Sequence, residues 1–230
     1  LPKRFCLSCA VVPMTLPLNK FQPWSNKAQH NIQDTMQDLI DYLLAIDALK
    51  AVNRRNYISQ TTDHTPRRLE NSAEHSWHLA MACWAVAEHF KLTVSHEKLL
   101  KLALVHDLGE IDAGDTFLYD DKRAAAHVDE RAGVARLAAL SGNPIADLLP
   151  LWDEQETGNS PEAKLIKTVD RLLPFMLNTV TQGGAWTDHN VKRSQVEAAQ
   201  AFIAGDFPVI HDWITAKIAH AVRQGWLIDN

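Results

Sequence analysis

Ionisable side chains stand at three positions where the helical pattern of this sequence calls for apolar ones. His106 and Asp107 directly follow the leucine-rich segment 99–105, and Asp170 lies between an apolar residue four positions before it and another three positions after it. Residues three and four apart share one helix face, so these side chains are expected on the buried side. Burying a charge is costly unless it is paired or bound to a metal ion. The pattern therefore indicates either a buried ion pair without metal or a metal site.

A divalent cation resolves the pattern most simply. Imidazole nitrogen and carboxylate oxygen together suit Mn, Fe, Co, Ni or Zn, with Mg also compatible, whereas a set made only of oxygen ligands would suit Mg or Ca. His75 completes the set, because it lies one turn into a helix, 31 residues before His106 (106 − 75). With Asp107 and Asp170, four ligands would then come from three helices, as in metal sites built inside helix bundles.

The residues around these positions resemble the HD-domain metal-dependent phosphohydrolases, and among them the bacterial and eukaryotic 5′-deoxynucleotidases. The resemblance covers about residues 36–182 and is carried by the segments 68–76 (RLENSAEHS), 106–110 (HDLGE), 114–115 (GD) and 168–171 (TVDR). It implies an all-α fold, one divalent ion held by His75, His106, Asp107 and Asp170, and hydrolysis of a small phosphomonoester. A (deoxy)nucleoside 5′-monophosphate is the leading substrate, and a homodimer is expected because dimers are common in that group.

Two acidic residues and one arginine are the candidates for the remaining chemistry. A bound divalent ion lowers the pKa of water and polarises a phosphoryl oxygen. The candidate proton-transfer groups are then Glu110, three residues after Asp107, and Asp115, on the following loop. Spacing does not decide which of the two donates a proton and which accepts one. Asn53-Arg54 resembles the segment that supplies a phosphate-contacting arginine in the 5′-deoxynucleotidases, which implies that role for Arg54; neighbouring Arg55 and the pair at 67–68 are the alternatives.

Other functions remain open at this stage. HD enzymes that hydrolyse alarmones are expected to carry an acid pair after His-Asp-x-x, but Glu110 is followed by Ile111, and the Gly-Tyr-Pro companion of the cyclic-dinucleotide enzymes is missing. Nucleoside triphosphates are a further possible substrate. A non-catalytic nucleotide or metal sensor and a metal-free helical scaffold are the non-enzyme alternatives. The complete set of ligands and acids favours an enzyme.

Helical periodicity runs through nearly the whole chain and predicts a single all-α domain, an HD-type bundle of six to eight helices. Asn71 with Glu74 predicts a capping box, and Ser95 and Ser160 predict N-caps. Trp77 and Trp84 fall on an apolar stripe and are expected in the core, as are Trp152 and Trp186. Residues 50–71 are polar and are expected to form a long loop. The predicted helices cover about 31–49, 71–90, 95–105, 128–139, 160–180 and 207–225.

Composition limits the possible partners and the compartment. The 230 residues carry a net charge of −5 without a basic run longer than two residues, which disfavours nucleic acid and anionic membranes as partners. Membrane spans need apolar runs of about 18 residues, and the sequence has none. Three cysteines indicate a reducing, cytoplasmic setting. Lys3-Arg4 and the apolar run after it resemble a short signal peptide, but prolines interrupt that run; we expect an N-terminal extension over 1–27 and the catalytic domain over 28–230.

Overall fold

The chain folds into a helical bundle with one small sheet. The computed structural model describes residues 26–59, 68–120 and 123–230, with side chains from residue 34 and, after the second gap, from residue 126. Eight of the eleven α-helices in these ranges have eight or more residues, so the prediction of an all-α bundle of six to eight helices is confirmed. The helices are α1 (Asn26–Asp47), α2 (Ser72–His89), α3 (His96–Val105), α4 (Glu110–Ala113), α5 (Arg123–Ala138), α6 (Leu148–Thr157), α7 (Pro161–Val180), α8 (Gly184–Asp188), α9 (Arg193–Gln200), α10 (Ile203–Asp206) and α11 (Pro208–Arg223).

The helix starts follow the local capping chemistry. The Asn71 side chain accepts a hydrogen bond from the backbone of Glu74, whose carboxylate in turn accepts one from the backbone of Asn71, so the predicted capping box of α2 is confirmed. Ser95 and Ser160 cap α3 and α7 through their side-chain oxygens, as predicted. These caps fix the start of the three helices that carry the candidate metal ligands.

The prediction of a loop over residues 50–71 is wrong in part. Two strands, β1 (Asn53–Tyr57) and β2 (Leu69–Asn71), pair antiparallel there, with Asn53 opposite Asn71 and Tyr57 opposite Leu69. The buried positions of β1 are Arg54 and Asn56, both polar. A search for alternating apolar residues therefore finds no strand, although burial does alternate along the backbone.

Helices α2, α3 and α7 pack around one apolar cluster. Its fully buried members include Leu79 and Cys83 of α2, Leu99 and Leu102 of α3, and Ile166 of α7. The candidate ligands His75, His106 and Asp170 belong to the same three elements or directly follow them. The core therefore fixes the spacing of the site.

Two tryptophans on α2 are not in the core. Trp77 and Trp84 are 65% and 42% exposed, because α2 turns Leu79 and Cys83, rather than the tryptophans, towards α3 and α7. Trp152 and Trp186 are buried, as predicted. Within the ranges described above, no helix has the length and apolar character that crossing a membrane requires.

Candidate active site

Four ionisable side chains from three helices meet at one end of the apolar cluster. His75 lies in the first turns of α2, His106 and Asp107 follow the last residue of α3, and Asp170 lies in the middle of α7. Ligand atoms of His75, His106 and Asp107 all lie within 4.8 Å of one another. Oδ1 of Asp170 is 3.1 Å from Nε2 of His75 and 3.7 Å from Nε2 of His106. The structure thus brings together all four residues named as candidate ligands.

Acidic and basic side chains crowd together among the buried groups of this site. Burial, reinforced by the nearby charge of Asp107, raises the pKa of Glu110 to about 8, and burial raises the pKa of Asp115. In the described part of the chain, five nearly buried acidic side chains lie beside two arginines, namely Glu70, Asp107, Glu110, Asp115 and Asp170 beside Arg54 and Arg171. The neighbouring carboxylates outweigh the effect of burial and raise the pKa of both histidines, that of His75 to about 9. Buried carboxylates require counter-charge. Two imidazoles and two aspartates at this spacing form a donor set that fits a divalent transition-metal ion.

Arg54 lies at the centre of the acidic groups. Its Nη1 atom donates a hydrogen bond to Oδ2 of Asp107 at 2.8 Å and lies 3.7 Å from Glu110 and 3.9 Å from Asp115. Burial disfavours its charged form, but these carboxylates outweigh that effect and raise the pKa of the guanidinium. Strand β1 therefore delivers a permanent cation beside one candidate ligand and both candidate proton-transfer residues.

A cavity opens beside this group. One end of the cavity is formed by candidate metal ligands, and the other walls come from β1, the loop after α4 and α7. The residues that line it include Arg54, Asn56, Asp115, Phe117, Tyr119 and Asn178. The Phe117 and Tyr119 rings meet edge to face at 5.2 Å. The cavity therefore has a charged end next to the candidate ligands and a wall with aromatic and amide groups.

Comparison with known proteins assigns the family. The HD domain model matches residues 46–211, which is most of the chain. The chain belongs to the HD domain family. This confirms the resemblance to the HD-domain metal-dependent phosphohydrolases that the segments around His75, His106 and Asp170 predict.

Curated relatives and a solved structure agree with this assignment. The chain is 29% identical over 139 residues to the 5′-deoxynucleotidase HDDC2 of Danio rerio, a match that covers 60% of this chain and 66% of that protein. It is 26% identical to the Bos taurus 5′-deoxynucleotidase HDDC2, over 74% of this chain and 78% of that protein. The crystal structure of a predicted metal-dependent phosphohydrolase from Magnetospirillum magnetotacticum MS-1 superposes with a TM-score of 0.72 at 32% identity, covering 84% and 98% of the two chains.

Three further side chains of this HD domain contact the site and were not singled out from the sequence. Ser72 donates a hydrogen bond to Oε2 of Glu110 at 2.5 Å, and Arg171 contacts Asp170 directly. Glu70 is buried beside His75. All three lie within the segments that carry the family resemblance. Membership of these segments was the sequence signal that could have identified them.

Glu70 is surrounded by polar atoms that lack hydrogen bonds. Its Oε2 atom lies 3.4 Å from Nδ1 of His75 and 3.8 Å from Nε of Arg54. Each of these three atoms is buried and has no hydrogen-bond partner among the residues that the structure describes. Nδ1 of His75 and Nε of Arg54 therefore both lie next to the Glu70 carboxylate, beyond the usual hydrogen-bond distance.

Proposed function

We propose that this protein is a divalent-metal-dependent phosphohydrolase that releases phosphate from a small phosphomonoester, with a (deoxy)nucleoside 5′-monophosphate as the leading substrate. The observation that carries the proposal is the meeting of His75, His106 and Asp107, joined by Asp170, with Arg54 and two carboxyl groups of raised pKa at one end of a cavity. The HDDC2 relatives, named 5′-deoxynucleotidases, support the choice of substrate.

The metal would be held by His75, His106, Asp107 and Asp170. When bound, a divalent ion supplies a Lewis acid for the phosphoryl oxygens and lowers the pKa of water. Glu70 accepts a hydrogen bond from Nδ1 of His75 in this proposal, which leaves Nε2 unprotonated and free to bind metal. The mixture of nitrogen and oxygen ligands favours Mn, Fe, Co, Ni or Zn over Mg.

The remaining residues act on the phosphate and on protons. Arg54 neutralises the non-bridging oxygens of the phosphate, and its planar guanidinium suits that task. In hydrolysis, a water oxygen forms a bond to phosphorus, the ester P–O bond breaks, the water loses a proton and the leaving alkoxide gains one. Glu110 and Asp115 are the groups that take and return these protons. Ser72 fixes one oxygen of Glu110 and leaves the other for the reaction.

A phosphate-release screen tests this function. The purified protein is stripped with a chelator and then assayed with Mn, Co, Zn or Mg against deoxynucleoside and ribonucleoside 5′-monophosphates, nucleoside triphosphates, cyclic dinucleotides and para-nitrophenyl phosphate. We expect release from 5′-monophosphates that depends on added metal. Release from the triphosphates or cyclic dinucleotides alone would refute the substrate class, and absence of release from all of these compounds would refute the enzyme.

An exposed stripe on α2 supports the homodimer that we also propose. Trp77, Met81 and Trp84 follow one another at helical spacing and are 65%, 45% and 42% exposed. A second copy of the chain would remove these side chains from water. Light scattering should give a mass about twice 25.8 kDa for the wild type and a monomer for Trp84→Lys. Val209→Lys, which places the same charge at an exposed apolar position of α11, should leave the dimer intact; a monomeric wild type would refute the proposal.

A further inference from the structure

Strand β1 presents two buried polar side chains to the cavity, and the proposed chemistry uses only one of them. Arg54 and Asn56 are the buried positions of the strand, and both line the cavity. Alternate residues of a strand point to the same side and lie roughly 6.6 Å apart, which is twice the rise per residue. A group that binds the phosphate through Arg54 therefore places the atoms attached to that phosphate near Asn56.

The orientation of the Asn56 amide follows from its neighbour Asn178. Nδ2 of Asn178 donates hydrogen bonds to the carbonyl of Pro174 at 2.9 Å and to Oδ1 of Asn56 at 3.0 Å. Oδ1 of Asn178 accepts a hydrogen bond from the backbone N–H of Trp186 at 3.2 Å. A carbonyl oxygen only accepts and a backbone N–H only donates. The contacts of Asn178 with the Pro174 carbonyl and the Trp186 N–H therefore exclude a flipped Asn178 amide.

Asn56 must then use its oxygen to accept from Asn178, and its Nδ2 group keeps two N–H donors. Asn56 is only 9% exposed, and none of the described residues provides a hydrogen-bond acceptor for these donors. Because Asn56 lines the cavity, its N–H donors without a protein partner are available to a ligand or to water there. The walls around it include Phe117 and Tyr119, whose rings suit the less polar part of a substrate.

We infer that the Asn56 side-chain amide donates a hydrogen bond to an acceptor atom on the nucleoside part of the substrate, and that Asn56 thereby selects nucleotides over simpler phosphomonoesters. The inference rests on the proposed function and adds a specificity-determining residue to it. Asn178 and Trp186 act as positioning residues, because their contacts hold the Asn56 oxygen away from the substrate and its nitrogen towards it.

Asn56→Asp tests the donor directly. The aspartate keeps an oxygen to accept from Asn178 but replaces the N–H donors by a second acceptor, while Asn56→Ala removes both. For each variant, kcat/KM is measured with a deoxynucleoside 5′-monophosphate, deoxyribose 5-phosphate and para-nitrophenyl phosphate. The values for the first two substrates are then divided by the value for para-nitrophenyl phosphate. The added charge of aspartate affects every phosphorylated substrate, so the ratio isolates the lost donor. Asn53→Asp, on the exposed face of the same strand, is the matched control.

We expect the kcat/KM ratio of the nucleotide to fall about 10- to 100-fold in both Asn56 variants, because the substrate atom that accepted from Asn56 then has no donor in the cavity. In Asn53→Asp the same ratio should change less than about 3-fold. A parallel fall for deoxyribose 5-phosphate assigns the contact to the sugar, and a fall for the nucleotide alone assigns it to the base; both support the inference. An unchanged ratio overturns it. If Asn56→Ala does not fold by circular dichroism, Asn56→Asp decides, because it retains the contact to Asn178.

The proposed function has a different failure. A wild-type enzyme that releases no phosphate from any nucleotide refutes the function, and the inference falls with it. A wild-type nucleotidase whose Asn56 variants keep the wild-type nucleotide ratio refutes the inference alone.

Discussion

The buried carboxylate of Glu70 provides a quantitative test of how the metal site is supported. Glu70→Gln keeps the size of the side chain and removes its charge. The proposed hydrogen bond from Nδ1 of His75 would then no longer be charge-assisted, and Nε of Arg54 would lose the carboxylate that lies 3.8 Å away. Groups that orient a ligand histidine in this way typically contribute 10- to 100-fold to metal affinity. We expect Glu70→Gln to bind Mn or Co that much more weakly.

Metal binding adds to the free energy of unfolding in a way that makes this loss measurable. At a free metal concentration of about 100 times Kd, the wild type gains about 2.7 kcal/mol. At the same concentration, a 10-fold weaker variant gains about 1.4 kcal/mol and a 100-fold weaker variant about 0.4 kcal/mol. In a chain of this size, 1 kcal/mol corresponds to roughly 2–4 °C in Tm. The metal-induced rise in Tm should therefore fall from about 5–11 °C to about 1–6 °C.

The assay compares Tm with and without metal for each variant, so any destabilisation of the apoprotein cancels. Calorimetric titration of the chelator-treated protein with Mn gives the Kd independently. Glu88→Gln, which removes a charge from an exposed position of the same helix, is the matched control and should keep the full metal-induced rise. If Glu70→Gln lowers Tm equally with and without metal and keeps the wild-type Kd, Glu70 serves only the fold and the reasoning is wrong.

Three further variants separate ligands, acid–base groups and packing. Asp170→Asn should lose both turnover and the bound metal, which elemental analysis measures. A variant that still holds one equivalent of metal would contradict the role of Asp170 as a ligand. Glu110→Gln should keep the metal and lower kcat by about 100-fold or more, because it removes a proton-transfer group; an unchanged kcat would exclude Glu110. Gly109→Ala should lower the free energy of unfolding in urea by about 1–3 kcal/mol, since its Cβ would lie 2.5 Å from the Glu130 carbonyl oxygen, whereas Gly205→Ala, whose Cβ meets open space, should not.

The elements that the sequence predicts are those whose signals are local. The start of α2 is set by a side chain and a backbone three residues apart, Asn71 and Glu74, and the same holds for Ser95 and Ser160. Periodicity predicts α7 over its whole length, through an internal proline. The alternation of Arg54 and Asn56 was missed because their burial depends on partners more than fifty residues away, Asp107 and Asn178, which no local pattern contains.

The exposure of the two tryptophans on α2 also depends on contacts that no local pattern contains. Its composition is apolar nearly all round, so the sequence does not say which face meets α3 and α7. Leu79 and Cys83 occupy that contact, and Trp77 and Trp84 are left outside. Periodicity identifies an apolar stripe, but a wide stripe has room for more than one partner, and here its outer part stays exposed to solvent.

In the candidate site too, some residues could be predicted from local sequence patterns and others could not. His106, Asp107 and Asp170 were accessible to sequence reasoning because a buried charge on an apolar face is anomalous wherever the chain folds, and His75 was added from its place in the motif that carries the family resemblance. Glu70 and Asn56 carried no such anomaly, since each stands in a polar segment that reads as exposed. Their burial follows from the pairing of β1 with β2, which brings Arg54 and Glu70 beside His75. The small sheet therefore explains why the candidate ligands could be predicted from the sequence, while the groups proposed to orient them and to recognise the substrate required the fold.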